Sequence, residues 1–207
     1  MTSSASQAPG PADAGGSTAD LLRQFWWLHD ARWYQGVARR FGQDAANEIN
    51  AEAMQFVTRR IASVYARDEG LRPGLSAAGL ATALTGISEL MTGDSVEAAN
   101  KVTGEESFET AVTRNFALEM LARAGTLEGY DCPCPQMRAG WFEGLKTEVD
   151  DHRVECLRTG GAACRFQSST SAPAATPDAA SGVTTTTATA TGTATTETDA
   201  VPGKETP

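Results

Sequence analysis

Residues 129–167 read GYDCPCPQMRAGWFEGLKTEVDDHRVECLRTGGAACRFQ, and the reading of this stretch decides the fold. A Cys/Pro turn over 132–135 leads into a run of helical composition that carries Gly140 and Gly144. Two short runs, HRVECLR and AACRFQ, then flank Gly160 and Gly161. A glycine pair between two such runs is a hairpin signal, because glycine supplies the positive φ that tight hairpin turns require. The stretch therefore predicts a turn, a helix and an antiparallel hairpin, in that order. Just ahead of it, FETAVTRN over 108–115 alternates well enough for a strand, and FALEMLARAG over 116–125 reads as a short helix closed by Gly125.

Toward the N-terminus the pattern becomes helical. Ser17 or Thr18 can cap a helix whose first turn holds Asp20, where a negative charge suits the exposed amides. Leu22, Trp26, His29, Trp33, Val37 and Phe41 recur at three- and four-residue steps up to Gly42, and Leu21, Phe25 and Leu28 widen the stripe. A second helix is expected over 44–67 with Ile49, Ala53, Phe56, Val57, Ile61 and Val64 apolar, and the Gly/Pro segment 70–74 ends it. A third candidate, 76–91, carries Leu80, Leu84, Ile87 and Met91, although its Gly79 and Gly86 cost about 1 kcal/mol each against Ala. The expected class is α+β, an N-terminal helical half packed on a small antiparallel sheet.

The ends of the 207-residue chain lack the apolar content a core requires. Residues 1–18 are small and polar with neither a basic n-region nor an apolar h-region, so they read as a disordered arm rather than a signal peptide. From Ser168 to 207 the composition falls to Thr, Ala, Ser, Pro and Gly, which reads as a disordered tail. A glycosylated stalk would fit that composition too, but it needs export. One domain over 19–167 remains. The formal charge of −9 disfavours nucleic-acid phosphates as a partner, and no apolar run approaches the roughly 20 residues a membrane span needs. The expected location is cytoplasmic, where four Cys are more often reduced, metal-bound or redox-active than paired in disulfides.

The motifs Gly140-x-Phe142-x-Gly144 and V-E-C-L-x-x-G-G-x-x-C-R-F, from Val154 to Phe166, resemble the four-vinyl-reductase-like hydrocarbon-binding domain of bacterial sensors of aromatic compounds. The resemblance covers roughly 35 residues well. It implies a small α+β module with a ligand pocket and, in metal-binding members, a zinc ion held by two strand Cys, a Cys before the glycine-bearing helix and a Glu. Cys156, Cys164 and, one position out of register, Cys134 fit the thiol slots, whereas the Glu slot falls on Arg153, with Glu155 and Cys132 nearby. A looser similarity to bacterial amino-thiazoline-carboxylate hydrolase-like proteins spans more of the chain.

By residue chemistry alone, Cys132, Cys134, Cys156 and Cys164 could form a tetrahedral zinc site if hairpin closure brings the last two beside the first two. Small buried thiols, or thiols that pair only on oxidation, are the other reading, and the tight C-x-C spacing favours it. No nucleophile elbow, phosphate loop or H-E-x-x-H is present, and two His exclude a His-rich metal centre. His152 and Cys156 would share a strand face about 13 Å apart, too far for proton transfer.

Two functions from different classes follow. One is a binding module for a small hydrophobic or aromatic molecule, with Trp26, His29, Trp33, Phe116, Trp141 and Phe142 about its pocket. The other is a hydrolase-like enzyme on a small cyclic or thio-compound, using Asp131, Cys132 or Cys134. The first-helix aromatics and His29 also read more plainly as core, and Asn47, Glu48, Asn50 and Glu52 as a solvated face rather than a cavity wall. Association with a second copy as a homodimer is left open.

Overall fold

A computed structural model of the protein describes residues 17–170. Of the arm expected over 1–18 and the tail expected over 168–207, residues 1–16 and 171–207 lie outside the described residues, whereas Ser17 and Thr18 open the first helix and 168–170 belong to the last strand. Among the described residues five α-helices and four strands follow one another: α1 (Thr18–Phe41), α2 (Gln43–Asp68), α3 (Ala77–Thr92), β1 (Val96–Val102), β2 (Ser107–Asn115), α4 (Phe116–Arg123), α5 (Cys134–Leu145), β3 (Val149–Glu155) and β4 (Cys164–Thr170). The strands form one antiparallel sheet in the order β1-β2-β4-β3. The architecture is the expected α+β, with helices in the N-terminal half and a small antiparallel sheet. Among the described residues no helix is long and apolar enough to cross a membrane.

The helix ends follow the sequence signals. Ser17 accepts from the Asp20 amide while the Asp20 carboxylate accepts from the Ser17 amide, a reciprocal capping box at the start of the helix. Gly42, at φ 94°, breaks the chain between α1 and α2 in a conformation that side-chain-bearing residues rarely adopt. Ser76 caps α3, and Asn115 caps α4.

The buried faces of α1 and α2 differ from the expected stripes. On α1, Leu22, Trp26, Trp33 and Phe41 are exposed, and His29 with them, whereas Trp27, Asp30, Tyr34 and Val37 turn inward. On α2, Ile49, Phe56 and Val64 are exposed, and the inner face is Ala46, Asn50, Met54, Thr58 and Ala62, a row at four-residue steps. The cause lies in α5, which packs closely along that row. A Cβ on Gly140 would strike Thr58 Oγ1 and the Gln55 carbonyl, and one on Gly144 would stand 2.5 Å from the Arg59 carbonyl and 2.6 Å from Ala62 Cβ. Backbone approach this close selects small residues on α2 and glycine on α5, so the bulky face of α2 is turned away.

β1 and β3 are the sheet edges. β3 is largely exposed and rich in charge, which suits an edge that must not recruit another strand. β4 alternates buried and exposed along CRFQSST and continues through Thr170, past the boundary expected at 167. Ser168 and Thr170 are buried. The glycine pair does lie between two antiparallel strands, but as part of a longer loop with a 3₁₀ turn over Leu157–Thr159 and Gly160 at φ 89°.

An apolar cavity beside a four-thiol cluster as the candidate functional site

Between the helices and the inner face of the sheet lies a mostly apolar cavity with room of about 90 Å³ for the centres of water-sized molecules. One water needs roughly 10–15 Å³ by that measure. Met54 of α2, Leu84 of α3, Val112 of β2, Met137 and Trp141 of α5 and Phe166 of β4 form its apolar walls. Trp141 donates its indole N–H toward the Met91 sulfur at 3.3 Å, which fixes the ring that closes one side.

Arg138, 2% exposed, also lines the cavity and ties α5 to the sheet. Its guanidinium meets the Asp151 carboxylate through two bonds of 2.7 Å, donates to Thr110 Oγ1 at 3.0 Å and to Ser168 Oγ at 2.9 Å. The Phe166 ring lies 4.5 Å from it and the Phe142 ring 5.3 Å. Every element of this arrangement suits a buried Arg, whose planar fork takes two carboxylate oxygens and whose faces stack on aromatics. Neither Arg138 nor Asp151 stood out in the sequence, because Arg is seldom buried and nothing in its spacing marks the partner.

Of the expected pocket residues, Trp141 lines the cavity. Phe142 does not line it and is buried in the core with Trp141, Leu80, Leu84 and Phe108. Phe116 is half-buried and borders a smaller adjoining pocket of about 40 Å³. Trp26, His29 and Trp33 are exposed and do not line the cavity; Trp26 is 53% exposed. Their places are taken by Trp27, Asp30 and Tyr130, together with Asn50 from the polar run on α2 that read as a solvated face. Asn47, by contrast, is spent on structure, binding Tyr34, the Gly129 carbonyl and the Asp131 amide.

All four cysteines are buried and gathered in one apolar cluster with Tyr34, Leu118, Tyr130 and Phe166. Cys132 and Cys134, at the turn into α5, line the cavity. Their sulfurs are 2.8 Å apart, and those of Cys156 and Cys164, flanking the β3–β4 loop, 4.0 Å. The Leu157 amide donates to the Cys164 sulfur at 3.3 Å. Hydrogen bonding from the Cys134 thiol, with that amide, lowers the Cys164 pKa to about 6. Cys132 is lowered for the same first reason, Cys134 is raised by its two thiol neighbours, and Cys156 is raised by burial.

Four thiols are a suitable donor set for zinc. As they stand, they hydrogen-bond to one another, and no group of three or more His, Cys, Asp and Glu among the described residues is arranged about a metal position. Zinc–sulfur bonds of about 2.3 Å in a tetrahedron place sulfurs roughly 3.8 Å apart. The Cys156–Cys164 pair fits that spacing at 4.0 Å, and the Cys132–Cys134 pair would have to open. No imidazole stands by the thiols: His152 is exposed and bound to Asp150, and His29 is exposed on α1. Asp131 is likewise exposed.

No family model matches the chain, and no curated protein matches it. The resemblance to four-vinyl-reductase-like domains thus rests on the residues quoted for it. Among solved structures, the chain is similar to subunit 3 of the trafficking protein particle complex from Naegleria fowleri, solved covalently bound to palmitic acid. The identity is 11% and the TM-score 0.49, over 73% of this chain and 96% of that one. A similarity at this level carries no argument about function.

Proposed function

We propose that residues 17–170 form a binding domain for a small hydrophobic or aromatic molecule, with the four cysteines as ligands of a structural zinc ion. The observation that carries this reading is the cavity: mostly apolar walls drawn from α2, α3, α5 and the sheet, with a few polar groups converging on it. Well-packed cores leave few voids larger than a water, so a space of this size between layers needs a reason. The thiols would brace the floor of the cavity, joining the turn into α5 to the β3–β4 loop. The hydrolase-like alternative has no comparable observation behind it, since neither imidazole stands by the thiols and Asp131 is exposed, so binding is the better supported of the two.

The test is to fill the space from within. Val112→Phe should abolish binding of indole, measured by calorimetry, while costing about 1 to 3 kcal/mol in stability through local overpacking. Undiminished indole binding by a folded Val112→Phe protein would remove the cavity as the binding site.

A further inference from the structure

At one end of the cavity four polar side chains border the same space. The buried indole Nε1 of Trp27 donates to nothing. Asp30 lies three residues on, hence on the same face of α1. Asn50 of α2, 4% exposed, and Tyr130, ahead of α5, border the same space, and none of these three side chains makes a hydrogen bond among the described residues. Together with Ala117, these four residues are common to the main cavity and the smaller adjoining pocket, so they stand at the junction of the two.

Elsewhere among the described residues Arg158 Nε is the other buried side-chain atom without a partner, and the polar groups in the core are satisfied. Thr58 donates to the Met54 carbonyl, Tyr34 bonds Gln43 and Asn47, and Arg138 has its carboxylate and two hydroxyls. A buried polar group without a partner is destabilising, so the Trp27 N–H, with three further polar side chains bordering the same space, points to a ligand that completes them. The sign of the charge narrows its chemistry. Arg138 is neutralised by Asp151, which leaves Asp30 as the carboxylate facing the cavity without a cation. Burial raises the Asp30 pKa, and nearby His29 offsets this only in part.

Building on the reading of the cavity as a binding site for small apolar molecules, we infer that its ligand is an apolar primary amine. Its ammonium sits among Asp30, Asn50 and Tyr130, and its hydrocarbon part lies against Met54, Leu84 and Trp141. An ammonium offers three N–H donors, and the three side chains offer a carboxylate, an amide oxygen and a phenol oxygen to receive them. The Trp27 N–H is left for an acceptor on the ligand, so a hydroxyl or ether oxygen close to the amine improves the match. An alcohol brings a single donor and no charge, and a carboxylate meets Asp30 with like charge.

Calorimetry on the full chain at pH 7 with hexylamine, 1-hexanol and hexanoate tests this with one hydrocarbon and three heads. Hexylamine is expected to bind roughly ten-fold tighter than hexanol, as a charge-assisted contact allows, with hexanoate weakest. In Asp30→Asn the hexylamine affinity should fall to about that of hexanol, and the hexanol binding that remains reports that the variant is folded. If Asp30→Asn binds no hexanol, Tyr130→Phe provides the same comparison, with a reduced amine advantage expected. Hexanol binding as tightly as hexylamine, or an amine advantage that persists undiminished in both variants, would overturn the inference and leave the cavity reading standing. Failure of all three compounds to bind would overturn both.

Discussion

Arg138 carries the joint between α5 and the sheet, and its worth can be stated. Removing one partner of a buried ion pair leaves the other charged and unsolvated, which costs about 3 to 5 kcal/mol. Arg138→Met should therefore lower the free energy of unfolding by that amount in a urea titration, because it leaves the Asp151 carboxylate without its cation and with the Ser168 hydroxyl as its remaining donor. Arg138→Lys should recover little, since a point charge cannot make the two-oxygen contact or stack on Phe166. Adding Asp151→Leu to Arg138→Met should restore much of the loss, because an apolar pair has no charge to strand. A single Met variant as stable as the parent would mean that water reaches the site. The sequence hid this residue for a plain reason: a lone Arg on a helix between Met137 and Ala139 reads as surface. The four cysteines were legible as a set, and the structure does bring them together.

At the scale of elements, the glycines of α5 have a steric role that the sequence flagged only by pattern. Gly144→Ala should cost about 1 to 3 kcal/mol, since its Cβ meets the Arg59 backbone and Ala62 rather than a flexible side-chain end. Gly125→Ala also costs something, through φ 66°, yet nothing lies within 4 Å of its Cβ, so its effect should be the smaller. Thermal melts of the two variants side by side decide this, and a larger loss at Gly125 would contradict the packing account. The same close contact explains why α1 and α2 were legible as helices but not as oriented helices. Both are apolar on more than one side, and periodicity cannot say which side a neighbour will cover. On α2 the decision falls to small residues, which carry no weight in an apolar stripe. β1 was missed altogether because VEAANKV has no alternation; it is an exposed edge held by pairing to β2, with Asn100 accepting from Thr110.

Across the whole molecule, the thiol cluster joins two segments distant in sequence, the turn ahead of α5 and the β3–β4 loop. If zinc binds there, its binding energy is added to folding, because the site does not exist in the unfolded chain. Protein purified under reducing, chelator-free conditions should then carry one zinc per chain by elemental analysis. Cys156→Ser and Cys164→Ser should each lose the metal and melt lower, and a chelator should bring the parent to the same instability. Absence of zinc, with melting indifferent to chelator, would leave the cysteines as small buried residues and would not touch the cavity. The cavity itself was only half legible. Trp141 is legible as a lining residue, whereas Trp26, His29 and Trp33 stand on the exposed face of the same helix whose other face supplies Trp27 and Asp30.

The central claim is that the space between the helices and the sheet takes up a small apolar molecule, and methyl-detected NMR during an indole titration addresses it most directly. Shifts should concentrate on Met54, Leu84, Val112 and Met137, which line the cavity, and saturate with a single affinity. Shifts confined to Leu21, Leu22 and Leu28 on the exposed face of α1, or no saturable shift at all, would contradict the account.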